Sequence, residues 1–389
     1  MKILQIAPQI LPVPPSLGGA VEDGIYQIAS ILAETDNVHV ISRKGKIYGP
    51  ANIKYLHLDF SLYERFLRDF FNSYRNQLAK LSRSCLKYTY SLKFKKIMDS
   101  DYNLIHVRNL AVAYPFIHKN KKNAKVILHL HNDIIKKYKL KRSFYRKLLN
   151  KYDLILYVSD YLRLRTLQFY PELNSRSLTL HNGVNLDLFR PLGIEINEQI
   201  RRKYGLTNER VILYAGRIIP EKGVLDIVAA FNEICTKTDK IKLFIAGSRA
   251  FKNSRDNNYV RSVKNSANSN VIFTGFIPHS ELRNLYSIAD IFIYPSVWDE
   301  PFGKAVLEAM AARTAVVASN SGGIPEIITE PDQGIIVPKN DPDSIVKAVN
   351  YLLSSKKILE QFKDSAYKRA QNFSWREVTK KLKIIYNDL

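Results

Sequence analysis

The sequence predicts an α/β protein built from two doubly wound parallel sheets in tandem. Three observations carry that expectation. The 389 residues exceed one ordinary core and fit two domains of roughly 150–200 residues each. Short apolar runs alternate with segments of helical periodicity. The same pattern starts again near the middle of the chain.

In the first half, Lys2–Ala7 reads as an apolar strand and Pro8–Gly19 as a loop rich in proline and glycine. Ala20–Glu34 puts Val21, Ile25, Ile28, Ala29 and Leu32 on one helical face. Val38–Ser42, Asn103–Val107, Val126–Leu130 and Leu154–Val158 are brief and nearly all apolar, as parallel strands covered on both faces are. Residues 60–98 read as helical, basic and less regular. The second half gives strands at Arg210–Ala215, Lys242–Ala246, Val271–Thr274, Ile291–Tyr294 and Ala315–Ala318, with a helix from about Val224 to Thr236. The boundary is expected near Val184–Pro191. Domains 1–185 and 186–372 follow, with a final helix in 373–389 that could pack back on the first domain. No short-period repeat interrupts this order.

The net charge is +23, and residues 63–151 hold 22 Lys/Arg against 5 Asp/Glu. Aromatics interleave with the cations through Ile134–Lys147. Such segments suit an anionic bilayer or glycolipid surface. A lysine-rich, solvated helix face is the plain alternative. Nucleic acid would also suit the charge, but no recognition motif accompanies it, so no nucleic-acid partner is expected. Gln5, Pro8 and Gln9 interrupt the apolar N-terminus, which favours a buried strand over a signal peptide. No run approaches the ~18–20 apolar residues of a membrane span. Cys85 and Cys235 form no redox or metal motif, which points to a reducing compartment. A cytoplasmic protein, peripheral on the inner face of the membrane, is expected.

Four stretches could carry chemistry. Trp298–Met310 follows an apolar strand, and Pro301 and Gly303 mark its turn into a helix. Helix N-termini and strand C-termini in such folds meet ligands. Glu300 and Glu308 would stand about 12 Å apart if the segment were wholly helical; equally, Glu308 could be a surface residue and Glu300 an acid near a helix start. Leu213–Gly223 ends a strand at Gly216 and then sets Arg217 and Lys222 five positions apart. Two fixed cations suit a pyrophosphate, although a solvated basic loop would look the same. Ser16–Glu22 contains Gly18 and Gly19 before a helix, letting backbone approach a phosphate or sugar, or simply making a tight turn. His129 and His131 fall on one side of a strand end. A hydrogen-bonding role for His131 fits better than metal, for which no supporting ligands are patterned. Asp99-Ser100-Asp101 and Asp341-Pro342-Asp343 read as turns.

Taken together these residues resemble glycosyltransferase family 4 over nearly the whole chain. The resemblance rests on the Glu300/Glu308 pair around Pro-Phe-Gly, Gly216-Arg217 to Lys222-Gly223, His181–Asn185, Gly275-Phe276 and Gly322–Glu326, all in the family's order. Pro14–Ala29 and Val126–Asp133 are similar to lipopolysaccharide core N-acetylglucosaminyltransferases, and a similarity to spore-coat-type members is also visible. The resemblance implies the GT-B fold, two Rossmann-like domains facing a central cleft. It implies a retaining transferase that moves GlcNAc or another hexose from a nucleotide sugar, UDP preferred, to a lipopolysaccharide or other surface glycan, without a metal. By the same resemblance, Glu308 would bind the ribose. Glu300, with the backbone of Phe302, Gly303 and Lys304, would hold the sugar hydroxyls. Arg217 and Lys222 would neutralise the diphosphate, and Gly216 belongs to their loop. Gly18 and Gly19 would border the donor phosphate and acceptor. His131 would sit near the anomeric region, and backbone around Phe276 and Ile277 would receive the base. Arg313 stands where many members have glycine, which puts a helix C-cap in question. A non-catalytic coat protein on the same fold and a nucleotide-sugar epimerase are the competing readings.

Overall fold

A computed structural model of the chain describes residues 1–16, 19–59, 87–99, 101–118, 121–133, 142–237, 240–249 and 256–389, and of Lys95 and Lys96 the backbone alone. Gly18, Cys85 and most of the basic segments 60–98 and 134–147 lie outside the described residues. The chain divides into two units, one formed by Met1–His181 with Trp375–Leu389 and the other by Asn182–Ser374.

Every ladder between the described strands is parallel. The first unit has a seven-stranded sheet in the order β3 (Ile53–Leu58), β2 (Asn37–Arg43), β1 (Lys2–Ile6), β4 (Leu104–Arg108), β5 (Lys125–Leu130), β6 (Leu154–Tyr157), β7 (Ser177–Thr179). The second has a six-stranded sheet ordered β10 (Val271–Gly275), β9 (Ile241–Ala246), β8 (Arg210–Ala215), β11 (Ile291–Tyr294), β12 (Ala315–Ser319), β13 (Ile335–Val337). Strand order reverses between β1 and β4 in one sheet and between β8 and β11 in the other. Loops leaving the carboxyl ends there diverge to opposite faces and leave a crevice.

The apolar runs of the sequence are these strands, with ends shifted by a residue or so. Three strands were not expected. β3 alternates polar and apolar residues at a sheet edge, and β7 and β13 have only three residues each, also at edges. An edge strand needs fewer apolar side chains because one side faces water.

Helix Ala20–Leu32 packs Ile25, Ile28 and Leu32 into the first unit's core, where Trp375, Val378, Leu382 and Tyr386 of the helix Trp375–Asn387 meet them. A Cβ on Gly24 would stand 3.0 Å from the Trp375 ring, so the closeness of these helices needs the missing side chain. Arg313 is in the left-handed region (φ 60°) after helix Lys304–Ala311. Its backbone N–H still caps Met310 O at 3.0 Å, and its guanidinium pairs with Glu360 (2.9 Å) and Asp364 (2.6 Å). The cap therefore forms without glycine, at about the 1 kcal/mol cost of that backbone region.

Glu22 lies in the first turn of helix Ala20–Leu32 and is 5% exposed. Burial pushes its carboxyl up to about 7, while its backbone N–H pulls the other way. Between its ordinary 4.5 and about 7 the folded state therefore holds a proton that the unfolded state has lost. Stability contributed by this group falls as pH rises through that window. Replacing Glu22 with Gln should leave stability unchanged below pH ~4.5 and raise it by up to ~3 kcal/mol at pH 8. Denaturant melts at the two pH values check this; equal effects at both would contradict it.

Candidate active site

The second unit assembles a polar cluster where β8 and β11 end. Lys222 lies in the loop after β8 and Glu300 in the loop after β11. The Lys222 ammonium forms a buried ion pair with Glu300 Oε1 and donates to Tyr294 Oη at 2.8 Å. Tyr294 (3.2 Å) and Ser296 (2.5 Å) donate to the same carboxylate oxygen. Burial lowers the Lys222 ammonium, and Glu300 opposes that shift. Burial, then the charge on Glu300, raises the Tyr294 phenol well above its usual range, so it stays a donor. At 5% exposure, Glu300 is no surface acid.

The backbone holds this cluster in place. Val297 N–H donates to Glu221 O at 3.1 Å, tying the loop after β11 to the loop after β8. Gly323 N–H donates to Glu300 O at 2.9 Å, and Glu300 N–H donates to Ser321 Oγ at 3.3 Å. Gly322 is left-handed (φ 57°), and a Cβ there would run into the Glu300 carbonyl. Only glycine lets the loop after β12 approach this closely.

Glu308 lies in helix Lys304–Ala311, whereas Glu300 precedes that helix. The condition for a spacing of about 12 Å, a wholly helical segment, is therefore not met, and the turn through Pro301 and Gly303 stands where the sequence marked it. Glu308 is also buried, which rules out its reading as a surface residue. It accepts from Tyr286 Oη at 3.3 Å and pairs with His279 Nε2 at 2.8 Å. Tyr286, Phe292 and Tyr294 form a ladder of rings, with centroids 5.4 and 6.1 Å apart, that runs from one glutamate to the other. Arg217 is exposed and lines a hollow of about 170 Å³ with Gly216, Gly247, Phe276, Ile277 and Leu282. Its positive charge is near enough to Lys222 to lower that ammonium further. The Phe302 side chain is buried and packs toward Phe373 at 6.2 Å between centroids. Gly303 (φ 108°) starts the helix, and Lys304 is its first residue.

Gly19 and His131 belong to the first unit. Gly19 (φ 116°) is the N-cap of helix Ala20–Leu32, at the end of the loop after β1. His131 follows β5, and its N–H donates to Asn109 Oδ1 at 2.7 Å. Beneath it lies Arg108, the last residue of β4 and 0% exposed. Arg108 Nη1 donates to His129 Nδ1 at 2.9 Å and to His131 Nε2 at 3.4 Å, and Nη2 donates to Gln5 Oε1 at 3.2 Å. Gln5 Nε2 then donates to Tyr386 Oη at 3.0 Å, and Tyr386 lies 2.5 Å from His106 Nδ1. Burial pushes the Arg108 guanidinium down to about 10, so it remains a cation at neutral pH. Burial, with this cation and neighbouring imidazoles, holds His106 and His129 well below the usual histidine range.

Tyr294, Ser296, Ser321, Tyr286, His279 and Arg108 were not singled out in the sequence. Tyr294 and Ser296 had a signal, since they end or closely follow an apolar strand. Arg108 had another, a charge closing an apolar run. Asp99 and Asp101 both pair with Lys2 Nζ (2.9 and 2.6 Å), and Asp341 caps the helix Pro342–Leu353.

Comparison with known proteins falls into the same two parts. Residues 21–188 match the family described as Glycosyltransferase Family 4, and residues 196–369 match Glycosyl transferases group 1. The chain is 28% identical to spore coat protein SA of Bacillus subtilis, over 99% of each protein. It is 27% identical to lipopolysaccharide 1,2-N-acetylglucosaminetransferase of Salmonella typhimurium, over 98% of this chain and 96% of that enzyme. A crystal structure of a glycosyltransferase from Rickettsia africae superposes with a TM-score of 0.75 at 23% identity, covering 100% of this chain and 98% of that one. With two parallel-sheet units and a family match in each, this chain belongs to the GT-B glycosyltransferases, family 4 in its first part and group 1 in its second.

Proposed function

We propose that this glycosyltransferase moves a hexose, with N-acetylglucosamine the leading candidate, from a UDP-sugar to a lipopolysaccharide or other cell-surface glycan, retaining anomeric configuration and using no metal. The observation that carries the reading is the buried Lys222–Glu300 pair beside exposed Arg217 at the switch point of the second sheet. A sugar leaving its diphosphate builds negative charge on the phosphate oxygen, and fixed cations there favour the transition state over the ground state. Glu300, held by Lys222, Tyr294 and Ser296, would bind sugar hydroxyls. It is engaged as an acceptor and is poorly suited to act as a covalent nucleophile, unlike the second carboxylate of a retaining glycosidase. Attack on the same face as the departing phosphate, with that phosphate taking the acceptor's proton, fits these residues better. Glu308 would meet the ribose, and the hollow beside Phe276 and Ile277 would take the base. In the first unit, Gly18 and Gly19 would border phosphate and acceptor, and His131 the sugar.

The lipopolysaccharide enzyme among the relatives supports the acceptor class and the sugar. The coat protein among them favours a second reading, a non-catalytic shell component. Incubating the full chain with a panel of UDP-, GDP- and ADP-sugars separates the two. Slow release of UDP from UDP-N-acetylglucosamine is expected; hydrolysis of none would favour the shell reading. Replacing Lys222 with Ala should cut turnover by about 10²–10³-fold, and near-normal turnover would refute its role.

Helix Arg142–Leu149 buries Tyr145, Leu148 and Leu149 and exposes Phe144 among Arg142, Arg146 and Lys147. Among the described residues no helix is long and apolar enough to cross a membrane. We therefore place the acceptor at an anionic bilayer surface, on the cytoplasmic side, engaged through this basic unit. The protein should cosediment with phosphatidylglycerol vesicles but not with phosphatidylcholine vesicles. Phe144→Ser should weaken the association several-fold, and indifference to lipid charge would remove the surface role.

A further inference from the structure

We infer that Arg108 is a positioning residue that fixes the His131 ring in the tautomer bearing its proton on Nδ1. This rests on the reading above that His131 meets the donor sugar, and adds what sets its hydrogen-bonding character. A guanidinium has only donors. Arg108 Nη1 points at His131 Nε2, so that nitrogen must accept. The same donor points at His129 Nδ1, placing the proton of His129 on its Nε2. Nη2 points at Gln5 Oε1, which turns the Gln5 amide toward Tyr386, and Tyr386, accepting from Gln5, directs its hydrogen to His106 Nδ1. Every group in this buried chain thus takes its direction from one arginine.

The arrangement is costly unless the orientation matters. A fully buried cation demands compensation, and among the described residues no carboxylate pairs with Arg108. Neutral acceptors on β1 (Gln5) and β5 (His129) and the His131 ring after β5 take the role instead. Lysine could not replace the fork, because a single ammonium does not span His131 and Gln5 as two guanidinium nitrogens do. The His131 Nδ1–H is thereby defined as a donor, the polarity suited to a sugar hydroxyl or ring oxygen.

Side-chain ¹⁵N NMR of the histidine-labelled full chain tests this directly, with His131→Gln assigning the resonance. The expected wild-type result is a protonated Nδ1 and a bare Nε2 on His131. A proton on Nε2 overturns the inference whether or not any variant folds. Arg108→Met should give mixed tautomers, with kcat on UDP-N-acetylglucosamine falling about 10²-fold while KM changes little. An unchanged tautomer in that variant overturns it too. Arg108→Lys should remain defective, and full rescue would show that charge without the fork suffices. Unchanged turnover in His131→Gln would instead sink the placement of His131 at the sugar, and would leave the tautomer result standing.

Discussion

A carboxylate withdrawn from water has to be met by donors, and in the second unit that requirement organises everything around Glu300. Desolvating an ion costs several kcal/mol, recovered only when its partners are well placed. Lys222, Tyr294 and Ser296 all point at one oxygen of Glu300. Meeting that demand joins the loops after β8 and β11, and Gly322 brings in the loop after β12. The site's rigidity comes from satisfying one acid.

The first unit presents the opposite problem with a different solution. Its buried charge is a cation, and its partners are imidazoles, an amide and, through the amide, a phenol. Because none of those partners is charged, their orientation becomes the variable that the arginine controls. One unit thus neutralises its buried charge, and the other distributes it over dipoles.

Much of this was readable from residue order. Nearly all-apolar runs marked the central strands, because a strand covered on both faces has few polar positions. Edge strands β3, β7 and β13 escaped, being short or half-solvated. Lys222 and Glu300 were named from sequence, but the distance between them in the chain concealed their direct contact, which only the pairing of β8 with β11 creates. Pro301 and Gly303 marked the turn into the helix that carries Glu308, and the helix does begin there, after Glu300. Arg108 escaped because its significance lies in strand neighbours: β4 is flanked by β1, which brings Gln5, and β5, which brings His129.

Trp375, Val378, Leu382 and Tyr386 complete a core whose other members come from the first 180 residues. During synthesis on the ribosome, the contiguous unit Asn182–Ser374 can finish its fold while the earlier-made unit still lacks its closing helix. The first unit must therefore wait, with the side of Ala20–Leu32 that meets Trp375 uncovered, until the helix Trp375–Asn387 has emerged. Of the two units, the one whose translation starts earlier is the one completed later.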